Sequence, residues 1–204
     1  MPDKASIIAD ALIRSEALKF GKFKLKSGIE SPYYIDLSWL LSSPESFATI
    51  VNLVAQEIRK ISSERKVNKL ASIELKGALL LPTVAHMLRM PCIIVRKESK
   101  SYGLTGRIAG GIVKPGDRFI FFDDVITKGE SKIEGIKPIE EAGGKIESIF
   151  VVVDREQGGK EELERQGYNL ISLTTISEII SSLLKTGKIK SSKAKEILEY
   201  VKKQ

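Results

Sequence analysis

Two adjacent carboxylates followed closely by small and hydroxyl-bearing residues offer the most chemistry in this sequence: Asp123-Asp124-Val125-Ile126-Thr127-Lys128-Gly129-Glu130-Ser131. They follow Phe119-Ile120-Phe121-Phe122, a buried-strand pattern, and lead into a helical pattern at Ser131. Two neighbouring acids at a strand end are costly to bury without a use. Thr127, Gly129 and Ser131 fall where a helix N-terminus leaves N–H groups unpaired, and small residues let such donors surround a phosphate dianion. Asp123 and Asp124 are then placed to accept hydrogen bonds from vicinal hydroxyls, as on a ribose. The same oxygens suit a divalent cation held through water. By themselves these residues equally describe an acidic turn with an N-capping serine. Neither G-x-x-x-x-G-K-[ST] nor G-x-G-x-x-G occurs, so the common nucleotide loops are excluded.

The elements that must position this loop follow from periodicity. Ile7, Ile8, Ala11, Leu12 and Ser15 mark an amphipathic helix over residues 3–19. Phe23 and Leu25 alternate with lysines, and Gly28 and Pro32 break this stretch into short strands or turns. Ser43 before Pro44 reads as a capping hydroxyl with proline at the first helical position, and one apolar face continues through Phe47, Ile50, Val51, Val54, Ile58 and Ile61. From Lys69 strands and helices alternate: strands at 70–73, 92–95, 118–122, 146–153 and 168–173, helices at 77–89, 131–142 and 160–166. A polar loop is expected over 96–109 and a turn at 114–117. Gly143-Gly144 closes one helix, Thr175 with Glu178 forms a capping box before another, and a last helix covers about 192–202. Such alternation predicts an α/β fold with a mostly parallel sheet covered on both faces, its ligands at the carboxyl ends of the strands.

The bulk properties narrow the class. With 204 residues and 42% hydrophobic content the chain suits one domain with a real core. The longest nearly apolar run, residues 78–88, is too short for a bilayer and holds Pro82 and His86. No secretory signal is visible at the start. Cys92 and His86 are the one cysteine and one histidine, which removes internal disulfides and a zinc constellation. A reduced, cytoplasmic protein is expected. The net charge of +7 favours anionic partners, although the C-terminal lysines read as a solvated surface.

Four hydrophobic residues, two acids, two aliphatics and Thr-x-Gly-x-Ser resemble the diphosphate-ribose signature of the type I phosphoribosyltransferases, and nearly the whole chain resembles their orotate-specific members. Phe23-Lys24-Leu25-Lys26-Ser27-Gly28 with Ser31-Pro32-Tyr33-Tyr34-Ile35-Asp36 resembles the N-terminal hood of that family, Leu75-Lys76-Gly77 its diphosphate loop, and residues 95–103 its catalytic loop. Val153-Asp154-Arg155-Glu156-Gln157-Gly158-Gly159 resembles the stretch that supplies orotate specificity. The usual proline two residues after the glycine of the diphosphate loop is displaced here to Pro82, and Tyr102 stands where many members have histidine.

The resemblance implies a type I phosphoribosyltransferase fold with a central, mostly parallel sheet flanked by helices and a small N-terminal hood. It implies one domain: hood and first helix over 1–40, core over about 44–185, C-terminal helix over about 190–204. Phosphoribosyl diphosphate would contact Lys26, Leu75, Lys76, Arg96, Lys97, Lys100, Tyr102, Asp123, Asp124, Val125, Ile126, Thr127, Lys128, Gly129, Glu130 and Ser131. Orotate would contact Tyr34, Ile35, Thr127 and Arg155, and Lys97, Lys100 and Asp124 would carry catalysis. Magnesium is expected as cofactor, held mainly by substrate and water and by no protein ligand directly. A homodimer sharing the 96–107 loop is implied. Alternatives are a purine transferase, or a nucleic-acid-binding regulator that keeps the pocket. Neither nucleic acid nor membrane is an expected partner.

Overall fold

The computed structural model describes residues 3–24, 28–100 and 106–203, with Lys100 through its backbone alone. Its centre is a six-stranded sheet of β3 (Lys69–Ile73), β4 (Cys92–Lys100), β5 (Gly106–Ala109), β6 (Arg118–Ile126), β7 (Lys145–Asp154) and β8 (Leu170–Thr175), in the order β5-β4-β3-β6-β7-β8. All neighbours run parallel except β5, which returns antiparallel on β4. Ahead of the sheet lie α1 (Lys4–Arg14), the antiparallel hood strands β1 (Leu18–Lys24) and β2 (Glu30–Ile35), and a 3-10 helix over Leu37–Ser42.

Strand alternation explains the unbroken apolar run in β6. Ile120 and Phe122 pack on one face of the sheet with α1, α2 (Pro44–Arg65), α3 (Lys76–Leu88), α6 (Ile176–Lys185) and α7 (Ser191–Val201). Phe119 and Phe121 pack on the other with α4 (Glu130–Glu141) and α5 (Gly159–Arg165). A strand buried on both faces has no polar side to show. The α/β class, the parallel sheet and the capping box of Thr175 and Glu178 agree with expectation.

Several boundaries differ. The first helix stops at Arg14, because the Ser15 hydroxyl donates back to the Ala11 carbonyl at 2.8 Å and Glu16 turns the chain at φ 56° into β1. Ser43 precedes Pro44 as expected, but its side chain makes no capping hydrogen bond. The expected polar loop is instead, at its described ends, a hairpin: β4 continues through Lys100 and β5 pairs Ile108 with Val95. Beyond the end of β3 the returning chain supplies backbone partners to this edge, and the Glu74 carboxylate takes the Lys97 N–H. Finally, β6 runs on to Ile126 beside β7, so Asp123 and Asp124 lie within the strand and not after it.

Helix α4 carries the loop that follows β6, and it sits close because Gly135 has no side chain. A Cβ at Gly135 would come within 2.5 Å of the Phe121 ring and 3.0 Å of Ile73 Cβ. Gly135→Val should therefore destabilise by about 1–3 kcal/mol through overpacking. Urea unfolding should show a lower midpoint at unchanged slope; an unchanged midpoint would contradict this packing.

Candidate active site

At the carboxyl edge of β3, β6 and β7 a cleft of about 420 Å³ opens. Its lining includes Asp123, Asp124 and Val125 from the end of β6, Thr127 from the loop that follows, and Ser131 and Lys132 from the first turn of α4. Glu74, Leu75 and Lys76 enter from the β3–α3 connection, Lys97 from β4, Tyr34 and Ile35 from β2, and Arg155 from the end of β7. Register brings the last of these in: Ile126 pairs with Asp154, and the Arg155 N–H donates to the Ile126 carbonyl at 3.1 Å. Arg155 thus stands beside the start of the phosphate loop.

The floor of the cleft is the acid pair. Asp123 Oδ2 meets the Lys132 ammonium at 2.6 Å, and Asp123 Oδ1 accepts the Asp124 N–H at 2.9 Å. Lys132 also donates to the Val125 carbonyl at 2.6 Å. Asp124 Oδ2 is buried with no hydrogen-bond partner among the described residues. Burial, then the charge of Asp123, pushes the Asp124 carboxyl up to about 7 against the pull of Lys132 and Lys76. Gly77 allows this arrangement, since a Cβ there would lie 2.4 Å from Asp123 Oδ1.

Above the floor, Lys76 Nζ sits 2.8 Å from Asp36 Oδ2, and Asp36 Oδ1 accepts from Ser38 of the 3-10 helix. Burial works against both charges. It is the largest single influence on each. Their mutual hydrogen bond and attraction, with the Ser38 bonds to Asp36 and the negative charge of Asp124 near Lys76, together outweigh it and hold Asp36 below and Lys76 above their usual ranges. The Glu74 carboxylate accepts the Lys97 N–H at 2.6 Å and so ties the β3–α3 connection to β4. Gly129, at φ 89°, is the N-cap of α4 and turns the loop into the helix.

Not every expected residue reaches the cleft. Lys128 and Glu130 line a separate hollow of about 690 Å³ on the outer side of α4, with Arg107 and Glu134. That hollow is larger, yet Arg107 and Glu134 already pair with each other at 3.2 Å and the acid pair is absent from its lining. Arg96 stays in the hairpin, donating to the Gly106 carbonyl at 3.2 Å. The Ile126 side chain is fully buried in the core. Lys26 and Tyr102 lie outside the described residues, as does the side chain of Lys100.

Three residues in or behind the site escape a reading of the sequence. Lys132 carried one signal: a cation in the first turn of a helix opposes the helix dipole, so a buried one needs an acidic partner. Tyr33 and Asp36 fall in the hood segment, but nothing local gave them a role, because their partners, Arg155 and Lys76, are distant in sequence.

No protein-family model matches the chain. The orotate phosphoribosyltransferase of Pyrococcus abyssi is 37% identical over 171 residues, covering 84% of this chain and 92% of that protein. Among solved structures, UMP synthase of Leishmania donovani superposes with a TM-score of 0.85 at 28% identity, covering 100% of this chain and 43% of that one. The orotate phosphoribosyltransferase of Aeropyrum pernix superposes with a TM-score of 0.74 at 28% identity, covering 90% of this chain and 99% of its own. With this coverage, on a cleft built at the strand ends around an acid pair and a phosphate loop, the chain belongs to the orotate phosphoribosyltransferase family of type I phosphoribosyltransferases.

Proposed function

We propose that this cleft performs the family's reaction by positioning and electrostatics, with no protein nucleophile. The activity is that of an orotate phosphoribosyltransferase in pyrimidine biosynthesis. The bond from the ribose anomeric carbon to diphosphate breaks, the bond to N1 of orotate forms, and orotidine 5′-phosphate and diphosphate leave. What carries the reading is the meeting of the acid pair, the phosphate loop, Lys76 and Arg155 in one cleft.

In this reading Thr127, Gly129 and Ser131, with the first N–H groups of α4, take the 5-phosphate. Asp124, whose Oδ2 is unengaged, takes the ribose hydroxyls; Asp123 braces it while shared with Lys132. Lys76 and Lys97 meet the departing diphosphate, a role assigned also to Lys26, Lys100 and Tyr102; Arg96 joins them only by leaving the Gly106 carbonyl. Charge stabilisation of this kind is worth about 3 kcal/mol per well-placed donor. Lys76 exchanges Asp36 for the diphosphate when substrate arrives. Arg155 pairs with the orotate carboxylate, and Tyr34 and Ile35 line the ring. Magnesium would be held by the substrate's oxygens and by water, with the Asp124 carboxylate in reach of it only through water, and it would neutralise diphosphate charge. The reading includes one domain, a cytoplasmic location and a homodimer whose 96–107 loop completes the partner's site. No helix among the described residues is long and apolar enough to cross a membrane.

Offered orotate, uracil, adenine and hypoxanthine with phosphoribosyl diphosphate and magnesium, the protein should consume orotate. Consumption of a purine in its place would overturn the substrate assignment.

Asp124 gives a pH-dependent stability. Its folded pKa of about 7 lies above the usual unfolded value of about 3.9. The folded state thus holds a proton that the unfolded state has released, and stability falls as pH rises from about 4 to 7. Asp124→Asn should raise the Tm at pH 8 by roughly 2–4 °C per kcal/mol recovered, with only about a third of that gain at pH 5, and should lose most turnover. An equal Tm gain at both pH values would show that the carboxyl does not titrate this way.

Lys100→Ala should lower kcat more than it raises the orotate KM. Mixed with Asp124→Asn subunits it should regain about a quarter of wild-type activity, as random pairing of subunits with one intact shared site requires. No recovery would exclude a loop acting across the dimer.

A further inference from the structure

Arg155 is buried, and a buried guanidinium needs its donors engaged. Its Nε donates to the Tyr33 hydroxyl at 3.1 Å, and its central carbon lies 4.8 Å from the Tyr33 ring centroid. Its Nη2 is also buried, without a hydrogen-bond partner among the described residues, and Arg155 lines the cleft. One edge of the guanidinium is therefore held from behind while a donor remains for a ligand. Tyr33 itself is fully buried in β2 and is not part of the cleft lining. Its backbone is braced by the Ser31 hydroxyl, which donates to the Tyr33 carbonyl at 2.7 Å. Its ring meets the Tyr200 ring of α7 edge-on, with centroids 6.1 Å apart at 85°.

We propose that Tyr33 is a positioning residue for the base: fixed between β2 and Tyr200, its hydroxyl aims the Arg155 guanidinium at the substrate carboxylate. The inference rests on the reading that Arg155 meets that carboxylate. Without the hydroxyl, the guanidinium can turn about its own chain toward the acids beside it, Asp154 and Glu156, and the cleft loses an oriented fork. The arrangement also makes the C-terminal helix part of base recognition, since Tyr200 supports the ring that holds Arg155. Burial, opposed by the nearby Arg155, raises the phenol pKa of Tyr33, so the hydroxyl stays neutral as the guanidinium's acceptor.

The test compares both substrates of one enzyme. Tyr33→Phe keeps the ring and removes only the hydroxyl. It should raise the orotate KM about tenfold, the loss of one hydrogen bond to a charged group, while kcat and the phosphoribosyl diphosphate KM stay within about twofold. Preference for orotate over uracil, which lacks the carboxylate, should fall by a similar factor. Tyr200→Leu, which withdraws the support and keeps the hydroxyl, should raise the orotate KM less and again selectively. It decides the matter if Tyr33→Phe does not fold. Arg155→Lys serves as the control. If it leaves the orotate KM unchanged, the reading of Arg155 itself fails. If it raises that KM while Tyr33→Phe and Tyr200→Leu do not, or if these two raise both KM values equally, Tyr33 is merely structural and the proposal is overturned.

Discussion

Two neighbouring carboxylates under the floor of a cleft can coexist there because Lys132 reaches back from the first turn of α4 to one of them. Its contact with Asp123 and its bond to the Val125 carbonyl tie helix, strand and loop at a single point. Breaking such a buried pair by removing one partner typically costs about 3–5 kcal/mol, because the other charge is left uncompensated. The pair also divides the acids' roles. Asp123 has both oxygens engaged, whereas Asp124 keeps one unengaged and a carboxyl that titrates near neutrality. The loop from Thr127 to Ser131 takes its place from this anchor.

Around the anchor, the sheet does the gathering. Parallel strands end on the same edge, so β3, β6 and β7 deliver their connections to one place. The β3–α3 connection brings Lys76 and Gly77, the second because no side chain fits beside Asp123. The end of β7 brings Arg155 next to Thr127 through the pairing of Ile126 with Asp154. The hood then closes the site from the other direction: Asp36 takes Lys76, and Tyr33 takes Arg155. Lys76 and Arg155, the cations proposed for the diphosphate and the carboxylate, are thus already held by groups of the protein. Such preorganisation limits what must be reordered when the substrate binds.

Much of this was legible in the sequence because the relevant code is short-ranged. The alternation of strands and helices, the glycine and hydroxyl spacing of the phosphate loop and the Thr175–Glu178 capping box depend on residues a few positions apart. Where reading stopped short, a tertiary contact had decided. The polar stretch after Val95 looks like loop until the returning β5 supplies its hydrogen-bond partners. The strand before the acids looks complete at Phe122 until β7 continues alongside. Lys128 and Glu130 belong to the phosphate-loop motif, yet the turn at Gly129 sends them to the outer face of α4.

By itself, then, the sequence determined the fold class, the loop that can cradle a phosphate beside two acids, and the kinds of charge available to a diphosphate and a carboxylate. Periodicity, caps and turn residues act locally, so they survive in one dimension. Only the tertiary structure decided which of those charges face the cleft and what holds them there. Lys132 under Asp123, Asp36 on Lys76 and Tyr33 behind Arg155 join groups up to 122 positions apart. Such pairings are set by strand register and helix packing, which no local pattern encodes.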